Sequence, residues 1–166
     1  MEPVYVEATI NDRLIRINKN DSMDLYSWRD CKTKPSYWFK IKPTFVIYKN
    51  YKKYVVDINH KQCILSRLVY KAHNPDWDIT DTSKTNEVDH INNNSIDNRI
   101  ENLRILTSQQ NNFNRIAKGY HWDKKASRWK AQIVINDKRI YLGLFKEEAD
   151  ARNAYLEAKE KYHIIA

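Results

Sequence analysis

The stretch EVDHINNNSIDNRIENLRILTSQQN, residues 87–111, constrains the fold more than any other part of the chain. Six of its twenty-five residues are asparagine. Asparagine side chains compete for backbone hydrogen bonds, so they suit turns and irregular loops better than helix or strand interiors. Short β-prone runs at 87–91 and 103–106 flank the asparagines. The pattern predicts two strands around an eleven-residue loop, 92–102, held by its own side chains, with Asn92, Asn93, Asn94 and Asn98 in structural roles. Thr107 and Gln110 form a capping box, so a helix should begin near Ser108. Phe113, Ile116 and Ala117 give that helix an apolar face, and Gly119 should end it.

Upstream, ATI-ND-RLIRI and YVVDI-NHK-QCILS read as hairpins. The aromatics between them, Trp28 through Tyr51, are interleaved with lysines. Such a strip suits either the wet face of a sheet or a path along a phosphate backbone. Ser66 is expected to cap a helix that closes at His73, with Asn74-Pro75 as the stop and 74–86 as a polar loop. Downstream, GYHW, SRWKAQIVI and KRIYLGLF read as three strands, with Asn136-Asp137 as a turn. A final helix over 147–162 gathers Ala151, Ala154, Tyr155, Ala158 and Tyr162 on one face. Strand alternation turns Trp129, Ala131, Ile133 and Ile135 towards that helix, together with Ile140, Leu142 and Leu144. Lys130, Gln132, Arg139 and Tyr141 then point the other way. The fold class is α+β.

The apolar content predicts a folded chain, and no apolar run is long enough to cross a bilayer. No segment resembles a signal peptide, and two cysteines are too few for a disulfide framework or a four-cysteine zinc site. Cys31 and Cys63 read as buried small residues in a reduced, intracellular chain. The net charge is +8, unevenly spread. Residues 1–65 carry twelve basic against seven acidic side chains, 66–118 carry seven of each, and 119–166 carry ten against seven. Two basic flanks around a neutral centre suit a polyanion lying across the middle, where a metal ion could supply the missing charge.

That centre holds Asp89-His90 and resembles the HNH endonuclease family over residues 66–116. The tandem Asp-His matches Asp89 and His90. The family's middle asparagine matches Asn102 in IENLRIL, its last position falls at Asn111, and its preceding helix matches Arg67-Leu68-Val69. The chain looks like an H-N-N variant of the intron-encoded branch. The resemblance implies a ββα-metal core: two strands and a helix around one divalent cation. Histidine titrates near neutral pH, so His90 can serve as general base towards water. Asp89 and Asn111 offer hard oxygens to Mg²⁺ or Mn²⁺, with water and phosphate completing the shell. Asn102 is expected to hold the loop and orient His90. His60, His73 and His163 read as a turn, a helix end and part of the tail.

Residues 118–163 are similar to the APETALA2-type DNA-binding domain through GYHW, WKAQI, YLGLF and the alanine-rich helix with Ala154-Tyr155. That family lays a three-stranded sheet in the major groove. The likeness adds Lys118 and His121 to Lys130, Gln132, Arg139 and Tyr141 as DNA contacts. His121 and Val134 stand where the plant domains place arginines, so their sequence preference is not carried over.

The expected organisation is a β-rich basic DNA-contacting region (1–65), the HNH nuclease core (66–117) and the APETALA2-type domain (118–166). The resemblance implies a site-specific, metal-dependent homing endonuclease of phage type, acting in the host bacterial cytoplasm as a monomer on double-stranded DNA and nicking one strand. The alternatives are a DNA-binding regulator with an inactive nuclease fold, and a nuclease acting on RNA or without sequence preference.

Overall fold

The computed structural model describes residues 2–49, 51–114, 118–136 and 138–164. They form two compact units, Met1–Ile105 and Leu106–Ala166.

In the first unit, β1 (Tyr5–Ile10), β2 (Arg13–Asn18), β3 (Asp21–Arg29) and β4 (Tyr37–Ile41) form an antiparallel sheet in chain order. A second antiparallel sheet follows from β5 (Thr44–Tyr48), β6 (Tyr51–Ile58) and β7 (Lys61–Ile64). Asn11-Asp12 and Asn59-His60 make the two expected hairpin turns with positive φ at both residues (48° and 60°; 52° and 62°). That geometry matches the right-handed twist of the flanking strands, and asparagine tolerates it well.

β7 runs directly into α1 (Leu65–His73). Ile64, not Ser66, occupies the cap position. Ser66 lies buried inside the first turn, because the strand leaves no loop residue to serve as a side-chain cap. At the other end Asn74 caps the helix, and its side-chain amide donates to the Tyr70 carbonyl (2.9 Å).

A single apolar core joins Ile10, Ile15, Ile17 and Leu25 of the first sheet to Val56 and Ile58 of the second. Leu65, Leu68, Val69 and Ala72 of α1, and Leu103 beyond the asparagine loop, complete it. Packing draws its boundary at 105/106, a division different from the 65/66 and 117/118 expected from the motifs. The last elements here are the paired strands β8 (Glu87–His90) and β9 (Leu103–Leu106), joined by the loop and a 3-10 turn at Ile100–Asn102.

In the second unit, α2 (Ser108–Asn114) opens on the expected capping box. The Gln110 amide N–H donates to Thr107 Oγ1 (3.1 Å), and the Thr107 N–H donates to Gln110 Oε1 (3.0 Å). Ile116 and Ala117 lie outside the described residues; Phe113 stacks on the His163 ring at 4.0 Å. β10 (Tyr120–Asp123), β11 (Arg128–Ile135) and β12 (Lys138–Phe145) form an antiparallel sheet backed by α3 (Glu148–Tyr162). Ala151, Tyr155 and Ala158 are the buried residues of α3, while Tyr162 is exposed.

The expected alternation of β12 fails at one point. Ala131 pairs with Gly143 and Gln132 with Tyr141, so Leu142 is an extra residue in the ladder. This bulge reverses the sides beyond it. Leu144 pairs with Lys130 and so lies on the face away from α3, while Leu142 packs into the core with Ile133 and Tyr155. Gly119 is constrained by α3 as well, since a β-carbon there would sit 1.9 Å from the Tyr155 ring.

Among the described residues no helix is long and apolar enough to cross a membrane. Gly119→Ala should push against a buried ring and cost about 1–3 kcal/mol. Urea unfolding checks this; an unchanged midpoint would mean that Tyr155 yields without strain.

Candidate nuclease site

The asparagine loop is a hydrogen-bonded object built on Asn102. The Ile91 N–H donates to the Asn102 carbonyl (2.9 Å), closing the loop's base. The buried Asn102 side chain then works in both directions. Its Oδ1 accepts from the Asn92 N–H (3.0 Å), and its Nδ2 donates to Asn92 Oδ1 (3.0 Å) and the Asp97 carbonyl (2.8 Å). Asn92 also donates to Asp97 Oδ2 (2.9 Å). Arg99 grips both Asp97 carboxylate oxygens at 2.8 Å, a bidentate pair of the strong, geometrically specific kind. The Arg99 guanidinium, helped by Asn92, holds the Asp97 carboxyl well below the usual carboxylate range, against the opposing effect of burial. Ser95 fastens the loop outward by donating to the Lys52 carbonyl (2.6 Å).

Asp89 and His90 are adjacent on β8, so their side chains leave the strand on opposite sides. His90 Nε2 lies 3.1 Å from Asn98 Oδ1, and Asn98 is only 3 % exposed. Asn98 Nδ2 donates to the Ile96 carbonyl (3.4 Å), which turns its oxygen towards the imidazole. With the Asn98 oxygen as acceptor, the ring proton is assigned to Nε2. The contact to His90 thus comes from Asn98, whereas the bonds of Asn102 hold the loop's base. Nothing in the sequence singles out Asn98 from the other loop asparagines.

Asp89 is 6 % exposed, and Arg104 Nε donates to its Oδ2 at 2.9 Å. A buried carboxylate needs such a partner, which is the signal that points to Arg104 in IENLRIL. Asn111 stands in α2 of the second unit, half-buried, with its N–H donating to the Thr107 carbonyl (2.9 Å).

Arg67, in the RLV segment, organises the loop that leads into β8. It donates to the carbonyls of Ile79 (2.6 Å), Asp81 (3.0 Å) and Asn86 (3.2 Å), and its guanidinium lies over the Trp77 ring. The buried Asn86 amide donates in turn to the Asp78 and Asp81 carbonyls and accepts from the Trp77 indole.

Of the expected DNA contacts, His121 pairs with Lys130, Gln132 with Tyr141, and Val134 with Arg139. Cross-strand partners share a side, so His121, Lys130, Gln132, Arg139 and Tyr141 lie on one face of the sheet. Leu144 joins them through the bulge. Lys118 precedes β10 and approaches Glu148 (3.6 Å). The remaining histidines have structural surroundings: His60 is a turn residue, His73 Nδ1 meets the Val69 carbonyl, and His163 Nε2 meets the Val134 carbonyl. Cys31 and Cys63 are half-buried instead of buried. Cys63 lies on the four-residue strand β7, within hydrogen-bond reach of the Asn11 amide.

Residues 63–113 match the family model described as HNH endonuclease. The match supports an HNH nuclease. No curated protein and no solved structure matches the chain. The HNH segment covers α1, the Arg67-bound loop, both strands of the asparagine loop and most of α2.

Among the described residues, no three His, Cys, Asp or Glu side chains gather as a metal-binding group. The donors that the HNH motif offers are instead a carboxylate and amides. Such hard oxygens are of the kind that divalent cations with retained water ligands accept.

Because Asp97 titrates low in the folded chain, its pairing stabilises the fold above the unfolded-state value and is lost as pH falls. The unfolding midpoint of Asp97→Asn should lie below that of the wild type at neutral pH. The gap should narrow steadily below about pH 4. A gap that stays constant across that range would show that the carboxylate charge is not what holds the loop.

Proposed function

We propose that the chain is a site-specific, divalent-metal-dependent DNA endonuclease of the homing type that nicks one strand per binding event. The observation that carries this reading is the His90–Asn98 contact within the HNH segment, next to the buried Asp89. A histidine whose tautomer is fixed by a buried amide is prepared for proton transfer before any substrate arrives.

In this reading His90 Nδ1 takes a proton from the attacking water. The Nε2–H bond to Asn98 keeps the ring in place as it becomes an imidazolium. Asn102 holds the loop that carries Asn98, while strand β8 carries His90. Asp89, and Asn111 by the motif, would hold Mg²⁺ or Mn²⁺, which when bound supplies positive charge to the phosphate and the departing oxygen. The sheet face of Lys130, Gln132, Arg139, Tyr141 and His121, with Lys118 at its edge, is the proposed APETALA2-type reader of duplex DNA. One site per monomer accounts for nicking, and a phage-encoded protein of this kind works in the host cytoplasm.

One observation favours a different reading. Arg104 already pairs with Asp89, so the carboxylate is partly neutralised without a metal. A DNA-binding regulator with an inactive nuclease fold would keep that ion pair and dispense with the cation.

Supercoiled plasmid incubated with Mg²⁺ or Mn²⁺ separates the two. The wild type should yield open circles, EDTA should abolish the reaction, and His90→Ala should slow it by at least about 100-fold. Tight duplex binding with no cleavage under any of these conditions would establish the regulator. Cleavage that survives His90→Ala would remove His90 as the base.

A further inference from the structure

The β5–β6 hairpin presents a surface that the nuclease chemistry leaves unused. Between Asp30 and Asp57 the chain has seven lysines and no acidic side chain. Lys49, Lys52 and Lys53 lie on this hairpin, and among the described residues none of them pairs with a carboxylate. Apolar surface accompanies them. Ile47 is 63 % and Tyr48 65 % exposed, and Tyr51 is about half exposed (48 %).

The ladder register organises these groups. Tyr48 pairs with Tyr51 and Ile47 with Lys52. Tyr48, Tyr51 and Lys53 therefore share one side of the ribbon, and Ile47 and Lys52 share the other. Lys49 Nζ lies 5.7 Å from the Tyr48 ring centre, and Lys53 Nζ 5.9 Å from that of Tyr51. Lysine is depleted in protein–protein interfaces, so this mixture argues against a protein partner. It suits a nucleic acid. Lysines neutralise phosphates, while aromatic and aliphatic side chains lie against sugars and bases or wedge between base steps.

The hairpin is also tied to the candidate site. The Ser95 hydroxyl, in the loop that carries Asn98, donates to the Lys52 backbone carbonyl (2.6 Å). Whatever the hairpin holds is thereby held in register with His90.

We propose that the β5–β6 hairpin grips the DNA duplex immediately beside the phosphate to be cut, its lysines on the backbone and Ile47, Tyr48 and Tyr51 against sugar and groove. This rests on the nuclease reading above and assigns a job to residues outside the family match.

The test uses full-length protein carrying His90→Ala, so that bound DNA stays whole, with linearised plasmid fragments as the probe. Lys49→Ser/Lys52→Ser/Lys53→Ser should flatten the dependence of log K on log salt by about 3, since each phosphate contact contributes about 0.9. Ile47→Ser/Tyr48→Ser should weaken binding at least tenfold with the salt slope unchanged. These side chains face water, and circular dichroism would confirm that both variants fold. Unchanged affinity, slope and hydroxyl-radical footprint in both variants, with the parent still binding, would overturn the hairpin contact alone. A parent that does not bind duplex, beside a wild type that does not cut it, would overturn the nuclease reading with it. Loss of a dimer in sedimentation, with DNA affinity intact, would assign the surface to a second copy and also overturn the proposal.

Discussion

The shape of the candidate site depends on one side chain, the Asn102 amide. Standing at the loop's exit, it bonds Asn92 at the entrance and the Asp97 carbonyl midway. A loop of this length has many open conformations, and each bond that closes it removes entropy. Burial of Asn102 makes the arrangement cooperative, because a buried amide left without its partners costs about 1–3 kcal/mol. Loss of one bond therefore weakens the case for the rest. Asp97, Arg99 and Asn98 follow from this base, and the position of the imidazole follows from Asn98.

A second constraint comes from packing. The asparagine loop contributes almost nothing apolar to the core, so it must stand on something else. Leu103 enters the same cluster as α1 and both upstream sheets, and Arg67 gathers three carbonyls from the approach to β8. The basic residues of the first part are thus carried on sheets that also support the HNH segment.

Much of this was legible in the sequence where local chemistry decides the outcome. Asn-Asp and Asn-His mark two-residue turns by their tolerance of positive φ, and Thr107 with Gln110 announces a helix start through two reciprocal bonds. The loop and its flanking strands were legible from the excess of asparagine between β-prone runs. Tertiary effects were not. Ser66 looks like a cap, yet the strand before it runs straight into the helix and buries it. Period-2 alternation places Leu144 on the wrong side because a bulge adds Leu142 to the ladder; the local signal is Gly143 inside the strand, at a φ of 142°, which alternation alone does not read. Asn98 and Asn94 are indistinguishable on paper; only the folded loop shows which one reaches the imidazole. Arg104 could have been inferred from the cost of burying Asp89, but the burial itself is a tertiary fact.

Among the described residues, each sheet consists of strands that follow one another along the chain: β1 to β4, β5 to β7, β8 with β9, and β10 to β12. None of these strands waits for a distant partner. Contacts that are local in sequence form quickly, because little loop entropy must be surrendered before they are made. During synthesis, each hairpin can therefore zip as it leaves the ribosome. The β10–β12 sheet is covered by α3, the element that directly follows it, whereas the first sheet must wait through β5 to β7 for α1, and then for Leu103, before its apolar face is closed.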